Sequence, residues 1–566
     1  MKKRSDNFRR LLTEAGENIS KTPWDVYPRP QMRRRDWLCL NGEWDFETGG
    51  VKSKILVPFC PESLLSGFDG EVKYGEKMTY RRTFSVPTEW RGKRLILNFG
   101  AVSRACEVRI NGAKVAENDN AYLPFSADIT DALAGGENLL EVDVTNDLSP
   151  DHPYGKQKIA RGGMWYTPSS GIWQTVWLEP VPEKYIEEIN IACDARGADI
   201  SVRGATDGVA VCDGIECEIK DGKVRVEPRE PKFWSPESPH LYGVTLKCGE
   251  DEIETYFALR TVTVGNVGGV PRILLNGEPY FFNGLLDQGY FSDGIYTPAS
   301  PELYGDDIEK MKSLGFNTLR KHIKIEPEQF YYECDRRGMI VFQDMVNAGK
   351  YSFFTDTVLP TLGFSIKNDA TKNKSAASRE NFIAAAERTV RHLYNHPCIL
   401  LWTIFNEGWG QFSADEMYGR VRAIDTSRLI DATSGWFHQR KTDVDSLHIY
   451  FKKLRLGRRR ELPQLISEFG GYVYKVKDHS FNLKKTYGYK IFSSREEYVR
   501  AMMALYFSEV LPLAKAGLSG AILTQVSDVE DETNGILTYD RKVMKITPLD
   551  GFDISKELQS AVTAGK

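Results

Sequence analysis

The amino-acid sequence predicts a multidomain protein in which a jelly-roll β-sandwich and an immunoglobulin-like β-sandwich precede a (β/α)8 TIM barrel. Three observations lead to this prediction. The chain has 566 residues, more than one hydrophobic core usually organises. Its first half alternates apolar and polar residues with a period of two, broken by Asn-Gly and Gly-Gly turns. From Ile273 onward, strand-like and helix-like segments alternate, which is typical of a parallel α/β architecture.

The predicted domain boundaries follow these changes of pattern. Residues 1–27 are mostly polar and are expected to form an N-terminal extension. Residues 28–183 carry the short alternating segments of a jelly-roll sandwich. Residues 184–264 carry a second, smaller set that fits an immunoglobulin-like sandwich. Residues 265–566 are assigned to the barrel.

The barrel region is expected to hold eight strands, the number that a closed barrel requires. The strands are predicted at residues 280–286, 317–322, 340–343, 399–405, 429–432, 446–449, 464–467 and 520–525. Helices are predicted between them, at residues 301–314, 327–337, 379–394, 414–422 and 494–516. Ser413 and Glu416 have the spacing of a capping box at the start of the fourth helix.

Composition and charge exclude several classes of function. The net charge of −4 gives no electrostatic reason for binding nucleic acid or a charged membrane surface. The nine cysteines are scattered, odd in number and without a C-x-x-C pair, which argues against a disulfide framework and a zinc ribbon. No apolar segment follows the basic start of the chain, and no run of 18 apolar residues occurs. We therefore expect a cytoplasmic protein, and the sequence leaves a homo-oligomer open.

Two strand-like runs end in a glutamate. Residues 399–410 read I-L-L-W-T-I-F-N-E-G-W-G and include Glu407, and residues 462–470 read L-P-Q-L-I-S-E-F-G and include Glu468. The interval of 61 residues between the glutamates can hold two β/α units, which places them on the fourth and seventh strands. Barrel enzymes act at the rim where strands become loops, and two carboxylates facing one cavity suggest cleavage of a glycosidic bond. The alternative is that each glutamate is an ordinary polar residue closing a strand.

The motifs W-T-I-F-N-E-G and L-I-S-E-F-G resemble the acid/base and nucleophile signatures of glycoside hydrolase family 2, the family of β-galactosidases, β-glucuronidases and β-mannosidases. Resemblance extends to M-W-Y-T-P-S-S-G-I-W-Q-T-V-W-L-E-P in the first sandwich, to F-W-S-P-E-S-P-H-L-Y in the second, and to roughly residues 28–550 as a whole. It implies that Glu407 is the acid/base and Glu468 the nucleophile. The implied reaction is retaining and needs no cofactor, with carboxyl groups about 5–5.5 Å apart.

The resemblance also implies roles for residues beside the two glutamates. Asn406 is expected to bind the sugar 2-hydroxyl, a contact that strengthens in the transition state. The alternative for this residue is a cap at the strand end. Tyr450 is expected to donate a hydrogen bond to Glu468 and so to keep it ionised, with a core position as the alternative.

Further site residues are predicted on the barrel strands and in the first sandwich. His322 and His448 stand at predicted strand ends and are expected to bind sugar hydroxyls or to support the residues that do. Arg320 shares a strand face with His322, so we expect it to enter the barrel near Glu468 and to lower its pKa. Trp165 in the first sandwich is expected to line a sugar subsite, with a core position as the alternative.

The chain departs from the family pattern at two places where relatives contact the sugar. The end of strand one offers Asp287 and Asp293, and the end of strand eight offers Gln525, Asp528 and Glu530. We expect Asp287 and Gln525 to bind substrate. The acidic run at residues 528–532 lacks the spacing and the histidine partners of a metal site, so it is interpreted as solvated loop charge and no metal is expected.

The sequence favours a retaining exo-β-glycosidase that acts on terminal non-reducing sugars, with a neutral β-galactoside-like sugar as substrate. A uronate needs a placed cation. The Asn-x-Lys signature of β-glucuronidases is matched only by residues 482–484, about 14 residues after Glu468, whereas that family places it well after the nucleophile. This position disfavours a glucuronide and leaves Lys484 as the alternative cation. The alternatives within the family are a β-glucuronidase, an α-L-arabinofuranosidase and an exo-glucosaminidase. From a different class, the alternative is a non-catalytic carbohydrate-binding protein.

Overall fold

The structure is a computed structural model that describes residues 8–68, 70–366 and 368–564. The first seven residues of the predicted N-terminal extension lie outside these ranges. Residues 8–27 lie against the barrel. The backbone N–H of Thr13 donates to Asp293 Oδ2 at 2.8 Å, and the indole N–H of Trp24 donates to the carbonyl of Pro298 at 2.8 Å. Because both contacts are buried, the extension is part of the folded body.

The first domain is a β-sandwich. Its strands are β1 Leu38–Cys39, β2 Gly42–Thr48, β3 Val51–Val57, β4 Lys77–Ser85, β5 Arg94–Phe99, β6 Val102–Ser103, β7 Ala105–Ile110, β8 Ala113–Asn118, β9 Phe125–Asp128, β10 Glu137–Thr145, β11 Gly171–Ile172 and β12 Val176–Val181. One antiparallel sheet has the order β1-β12-β5-β9 and the other the order β3-β2-β4-β10-β7-β8. Alternate residues of β2 are buried, as its period of two predicts. The enclosed core includes Trp44, Tyr80 and Leu97.

A second pair of sheets follows. Its strands are β13 Glu188–Cys193, β14 Ala198–Arg203, β15 Gly208–Cys212, β16 Ile215–Ile219, β17 Lys223–Val226, β18 Tyr242–Cys248 and β19 Asp251–Phe257. The orders are β13-β14-β17 and β16-β15-β18-β19, with antiparallel pairing throughout, around a core that includes Ile200 and Leu246. A small antiparallel sheet then leads to the barrel, formed by β20 Val262–Val267, β21 Val270–Leu275 and β22 Glu278–Pro279.

The barrel strands are parallel and nearly closed into a ring. The remaining strands are β23 Phe282–Asp287, β24 Thr318–Lys321, β25 Ile340–Asp344, β26 Ile399–Asn406, β27 Leu429–Ser434, β28 Asp445–Ile449, β29 Gln464–Gly470, β30 Tyr472–Tyr474, β31 Lys490–Phe492 and β32 Leu518–Thr524. In the part of the chain that the structure describes, the barrel sheet has the order β27-β26-β25-β24-β23-β32-β29-β28. Every residue of β26 is buried, as expected for a parallel strand covered on both faces.

Helices surround the barrel. They are α1 Glu302–Lys312, α2 Glu328–Arg337, α3 Leu359–Thr361, α4 Ala376–Leu393, α5 Ala414–Ile424, α6 Arg495–Leu505, α7 Leu511–Ala516 and α8 Ser555–Thr563. The predicted helix at 494–516 is thus divided, because a π-helical turn at Tyr506–Val510 joins α6 to α7. No helix in the three described ranges has the length and hydrophobicity needed to cross a bilayer.

The eight predicted barrel strands are all present in the structure, with ends that differ by a few residues. The predicted capping box is wrong. Ser413 has a left-handed backbone, with φ at 39°, and its side chain makes no capping hydrogen bond. The carboxylate of Asp369 accepts from the N–H of Ala414 at 3.0 Å instead. The observed strands are consistent with the three predicted domains, whose boundaries at residues 28, 184 and 265 stay a prediction.

Candidate active site

The two glutamates stand at the same rim of the barrel, on strands that are separated by β27 and β28. Glu468 belongs to β29, and Glu407 follows the last residue of β26. Glu407 has a left-handed backbone with φ at 53°, a conformation that costs a non-glycine residue about 1–2 kcal/mol. Hydrogen bonds hold this turn, since its N–H donates to the carbonyl of Ser434 at 3.0 Å and its carbonyl accepts from the indole of Trp436 at 2.9 Å.

The carboxyl groups of Glu407 and Glu468 lie close enough to act on one bond. One oxygen of each, together with a ring nitrogen of His448, falls within a group whose atoms are all within 4.8 Å of one another. This upper limit on the distance between the two oxygens agrees with the carboxyl spacing of about 5–5.5 Å in retaining glycosidases and is well below the roughly 6.5–9.5 Å of inverting ones. The side chain of Glu407 is 19% exposed and that of Glu468 6% exposed. Glu407 is therefore the more accessible of the two carboxyl groups to a leaving group on the solvent side of the site.

Arg320 on β24 organises the site from inside the barrel. A guanidinium has five N–H donors, and here five oxygen acceptors lie between 2.9 and 3.1 Å from its nitrogens. They belong to the side chains of Asp344, Glu468, Asn406 and Ser434 and to the backbone carbonyl of Ser467. Arg320 therefore positions several residues at once and has no donor left for a substrate.

Asp344, the last residue of β25, is a site residue that the sequence analysis missed. Its two oxygens bind Arg320 Nε at 3.0 Å and His322 Nδ1 at 2.7 Å. Burial raises the pKa of Asp344, but the charge of Arg320 and the contact with His322 lower it below its usual value. The signal was available, because the run I-V-F-Q-D ends in an acid just as the strands of the two glutamates do.

Asn406 is fixed in one orientation beside the acid/base candidate. Its Oδ1 accepts from Arg320 Nη2 and from the hydroxyl of Ser434, both at 2.9 Å. Since both contacts use the oxygen, the amide Nδ2 is left to donate to a substrate hydroxyl. Ser434 ends β27 and was not predicted as a site residue.

His448 links the two glutamates. Its Nε2 lies 3.3 Å from Arg320 Nη1 and its Nδ1 lies 2.7 Å from Glu407 Oε1. Nδ1 donates to Glu407 Oε1, because an ionised carboxylate only accepts hydrogen bonds. The ring packs edge-on against Trp436, with 5.6 Å between the ring centroids.

Tyr450 contacts the other oxygen of Glu468. Its hydroxyl donates to Glu468 Oε2 and lies 3.2 Å from Thr524 Oγ1, and its ring stacks on Tyr489 with 4.1 Å between centroids. Burial and the charge of Glu468 raise the pKa of Tyr450 well above its usual value. The phenol consequently stays a neutral donor.

The electrostatic surroundings of Glu468 favour its ionised form. Burial alone would raise the pKa of this carboxyl, but the charges of His448, Arg320, His322 and Lys156 lower it to about 2. Glu468 is thus an ionised carboxylate that is almost completely shielded from solvent, which suits a nucleophile. The donor atoms of Glu407, His448 and Glu468 are also numerous enough to bind a metal ion. Arg320 already supplies a cation 3.0 Å from Glu468.

Two predicted substrate residues do not join this cluster. Asp287 binds Lys321 Nζ at 2.5 Å, and Lys321 lies over the ring of Phe330 on α2. Since Arg320 points into the barrel, its neighbour Lys321 and the paired Asp287 face the surrounding helices. Gln525 is fully buried and both ends of its amide are engaged, by Gln288 at 2.8 Å and by Asn534 at 2.9 Å. Neither residue is placed to bind a sugar as we had expected.

The acidic run at 528–532 is not solvated, contrary to the sequence interpretation. Asp528 pairs with Lys545 at 2.5 Å, Glu530 pairs with Arg161 at 2.9 Å, and Glu532 accepts from the hydroxyl of Tyr166. All three acidic residues are buried, with exposed fractions of 1–4%. Arg161 and Tyr166 belong to the first domain, so Glu530 and Glu532 fasten that domain to the barrel, whereas the Asp528–Lys545 pair lies within the barrel region. Asp293 is likewise occupied, by Thr13 of the N-terminal extension.

The first domain forms one wall of the site. The ring of Trp165 packs edge-on against Tyr351 and Trp409, with 5.0 and 5.2 Å between centroids, and Trp409 follows Glu407 by two residues. Lys156, which the sequence analysis did not predict, belongs to the same segment and its charge reaches Glu468. No signal in a loop of another domain could have assigned Lys156 to this site.

Two family models match the chain. The model described as glycosyl hydrolase 2 galactose-binding domain-like matches residues 61–167, and the model described as glycosyl hydrolases family 2, TIM barrel domain, matches residues 271–479. The β-galactosidase of Aeromonas hydrophila subsp. hydrophila is 30% identical over 406 residues, which are 64% of this chain and 36% of that protein. The putative β-glucuronidase of Formosa agariphila is 25% identical over 448 residues, 74% of this chain and 38% of that protein.

Solved structures share the fold. A β-glucuronidase from an uncultured Clostridium species superposes with a TM-score of 0.74 at 18% identity, covering 94% of this chain and 99% of that one. A β-galacturonidase from Eisenbergiella tayi superposes with a TM-score of 0.66 at 20% identity, covering 96% and 98%. The chain spans only 36–61% of the length of the first curated relatives it matches. Both family models, the shared fold and the paired glutamates agree, and the chain belongs to glycoside hydrolase family 2.

Proposed function

We propose that the protein is a retaining exo-β-glycosidase that releases the terminal non-reducing sugar of a glycoside. The observation that carries this proposal is the pair Glu407 and Glu468, whose oxygens lie within 4.8 Å of each other in unequal surroundings. Glu468 is held ionised by neighbouring positive charges, and Glu407 faces the open side of the site with a histidine on one oxygen. A retaining glycosidase requires one ionised carboxyl that attacks and a second carboxyl that donates a proton, and we assign these roles to Glu468 and Glu407.

The reaction follows from these positions. Glu468 attacks the anomeric carbon while Glu407 transfers its proton to the departing glycosidic oxygen, so the C–O bond to the aglycone breaks as the bond to Glu468 forms. Glu407, now ionised, removes a proton from water. The water oxygen bonds to the anomeric carbon, and Glu468 leaves as a carboxylate. Two inversions at one carbon give net retention.

The neighbours assist in defined ways. Arg320 and the hydroxyl of Tyr450 bind the two oxygens of Glu468 and orient it for attack. His448 Nδ1 holds Glu407 Oε1, so the other oxygen of Glu407 carries the transferable proton. The free amide N–H of Asn406 is suited to the 2-hydroxyl of the sugar, where donors act most strongly in the transition state.

Two sugar classes are candidates. A neutral, β-galactoside-like sugar remains the prediction from the sequence, and relatives named β-galactosidase support it. A β-uronide is the second, because Lys156 brings a positive charge to the surroundings of Glu468.

The nine free cysteines support the cytoplasmic location that we expect, since a reducing compartment keeps thiols free.

A panel of nitrophenyl glycosides tests the proposal. We expect hydrolysis of at least one β-glycoside, and proton NMR of the first product should show the β-anomer. A first product with the α configuration would contradict the retaining assignment. If no glycoside is cleaved while calorimetry detects a bound sugar, the protein is a carbohydrate-binding module and the proposal is wrong.

A further inference from the structure

The positive charges around the nucleophile differ in how they are used. All donors of Arg320 are engaged by protein oxygens, as described above. By contrast, among the residues that the structure describes, no acceptor or carboxylate is bonded to the ammonium of Lys156. Lys156 is half-buried, so its charge is neither neutralised by a partner nor fully dispersed by water.

The backbone around Lys156 is fixed against the barrel. At Gly155 an added Cβ would stand 3.0 Å from the carbonyl of Ile323, the residue after His322. The carbonyl of Lys156 itself accepts from the N–H of Tyr166 at 2.9 Å, and the hydroxyl of Tyr166 donates to Glu532. Lys156 is therefore held between the end of β24 and the loop that follows β32.

The charge of Lys156 influences the pKa values of three groups, and these indicate the direction in which its side chain extends. It lowers the pKa of Glu468, opposes the effect of burial on the pKa of Glu532, and lowers the pKa of His322. These three side chains come from three barrel strands or the loops after them. With its backbone held at the ends of these strands, the ammonium that acts on all three lies on the side of the barrel at which a terminal sugar must bind if Glu468 attacks its anomeric carbon.

The cation that the sequence offered instead differs from Lys156 in its exposure. Lys484 is exposed to solvent. The Asn482 in the same Asn-x-Lys match is committed to structure, because its Nδ2 donates to Asp531 at 2.6 Å and its Oδ1 accepts from the N–H groups of Lys484 and Lys485 at 3.0 Å. Asn482 is therefore not left to bind a carboxylate, and the ammonium of Lys484 is exposed to water, unlike that of the half-buried Lys156.

We propose that Lys156 recognises a carboxylate on the terminal sugar, so that the substrate is a β-uronide. The inference rests on the proposed glycosidase function and adds the chemical class of the sugar. An unpaired, half-buried ammonium on the side of the barrel that carries Glu468 is best matched by one negative group on the ligand. A sulfate or phosphate ester on the sugar would present the same charge, and the experiment separates these sources.

The test compares kcat/KM on matched substrates. The nitrophenyl β-glucuronide and β-galacturonide are paired with the corresponding β-glucoside and β-galactoside, and 6-phospho- and 6-sulfo-β-galactosides are included. The proteins are wild type, Lys156→Met, Lys156→Arg and Lys484→Met. Melting temperatures verify folding, and Lys156→Arg, which keeps the charge, remains informative if Lys156→Met does not fold.

The wild type should cleave a uronide faster than its neutral counterpart. Lys156→Met should lower the ratio of uronide to neutral rates by roughly 10–150-fold, the range for losing a hydrogen bond to a charged group, and should raise the inhibition constant of free uronate by a similar factor. Lys156→Arg should retain more of the ratio. Lys484→Met should leave it at the wild-type value.

Several results would overturn the inference. An equal loss on both substrates in Lys156→Met means that the lysine acts only through Glu468, and a fall in the ratio in Lys484→Met moves the contact to the loop after β29. Faster cleavage of the phospho or sulfo sugar, or of the neutral sugar, excludes the uronide while the glycosidase function stands. Absence of cleavage on the whole panel contradicts the glycosidase function itself.

Discussion

Arg320 Nη1 lies 3.0 Å from Glu468 Oε1, and the two side chains are 1% and 6% exposed. Withdrawing both charges from water is costly, and a buried ion pair of this kind contributes little net stability. Its effect on function is clearer. The guanidinium keeps the carboxylate ionised in a nearly dry pocket and fixes one oxygen, while Tyr450 fixes the other.

We predict that Arg320→Met destabilises the protein by about 3–5 kcal/mol, because Glu468 and Asp344 are left as buried carboxylates without their cation. The acid limb of kcat/KM should also move to higher pH as the pKa of Glu468 rises. Urea unfolding and pH–rate profiles measure the two effects. Arg336→Met is the control, since Arg336 pairs with Glu333 at the surface and should change stability by about 1 kcal/mol or less. An unchanged acid limb in Arg320→Met would refute the electrostatic role.

The ionised state of Glu468 should make stability depend on pH. Its pKa is lowered from 4.5 to about 2, so its contribution to stability is fully present above pH 4.5 and is lost as the pH falls towards 2. We therefore expect the difference in unfolding free energy between wild type and Glu468→Gln to shrink as the pH is lowered through this window. Urea titrations at several pH values measure it. A difference that grows on acidification would mean that the pKa is not lowered.

Tyr450→Phe removes one hydrogen bond to Glu468 and keeps the ring stacked on Tyr489. We expect kcat to fall by roughly 10–150-fold, the range for a hydrogen bond to a charged group, with little loss of stability. Tyr418→Phe is the control, because its hydroxyl bonds Asp443 away from the two glutamates. Equal effects of the two substitutions on kcat would show that the hydroxyl of Tyr450 has no special role.

The strand ends that carry the site could be predicted because parallel strands that are covered on both faces appear in the sequence as runs of apolar residues. Glu407 and Glu468 interrupt such runs, and Arg320 and His322 share a face because side chains alternate along a strand. The same alternation explains the failure at Asp287. It lies beside Lys321 in register, one residue out of phase with Arg320, and so faces the helices.

Contacts between domains could not be predicted from local patterns. The acids at 528–532 look like a solvated loop, yet Arg161 and Tyr166, more than 360 residues earlier in the chain, cover Glu530 and Glu532. Lys156 stands in the same segment as these partners. Charge and polarity in a sequence window report what could be exposed, whereas burial here depends on how the first sandwich docks on the barrel.

Gly155 should be sensitive to substitution because of this docking. Its φ of +66° strains any other residue, and a Cβ would also stand 2.9 Å from the hydroxyl of Tyr122 and 3.0 Å from the carbonyl of Ile323. Gly214 has a similar φ of +72° with no atom within 4 Å, so Gly214→Ala is a matched control. We expect Gly214→Ala to lose about 1–2 kcal/mol and Gly155→Ala clearly more, with a lower kcat/KM for Gly155→Ala alone. Equal losses in thermal unfolding would show that the close approach is unimportant.

The assignment of Glu468 as nucleophile and Glu407 as acid/base is tested most directly by azide rescue of Glu468→Ala and Glu407→Ala on an activated β-glycoside. In Glu468→Ala, azide should occupy the space of the nucleophile and give the α-glycosyl azide. In Glu407→Ala, azide should attack the covalent intermediate from the side where water enters and give the β-glycosyl azide. Proton NMR distinguishes the two products. We predict this pair of configurations, and undiminished hydrolysis by Glu468→Ala or the reversed pair would contradict the roles assigned to the two glutamates.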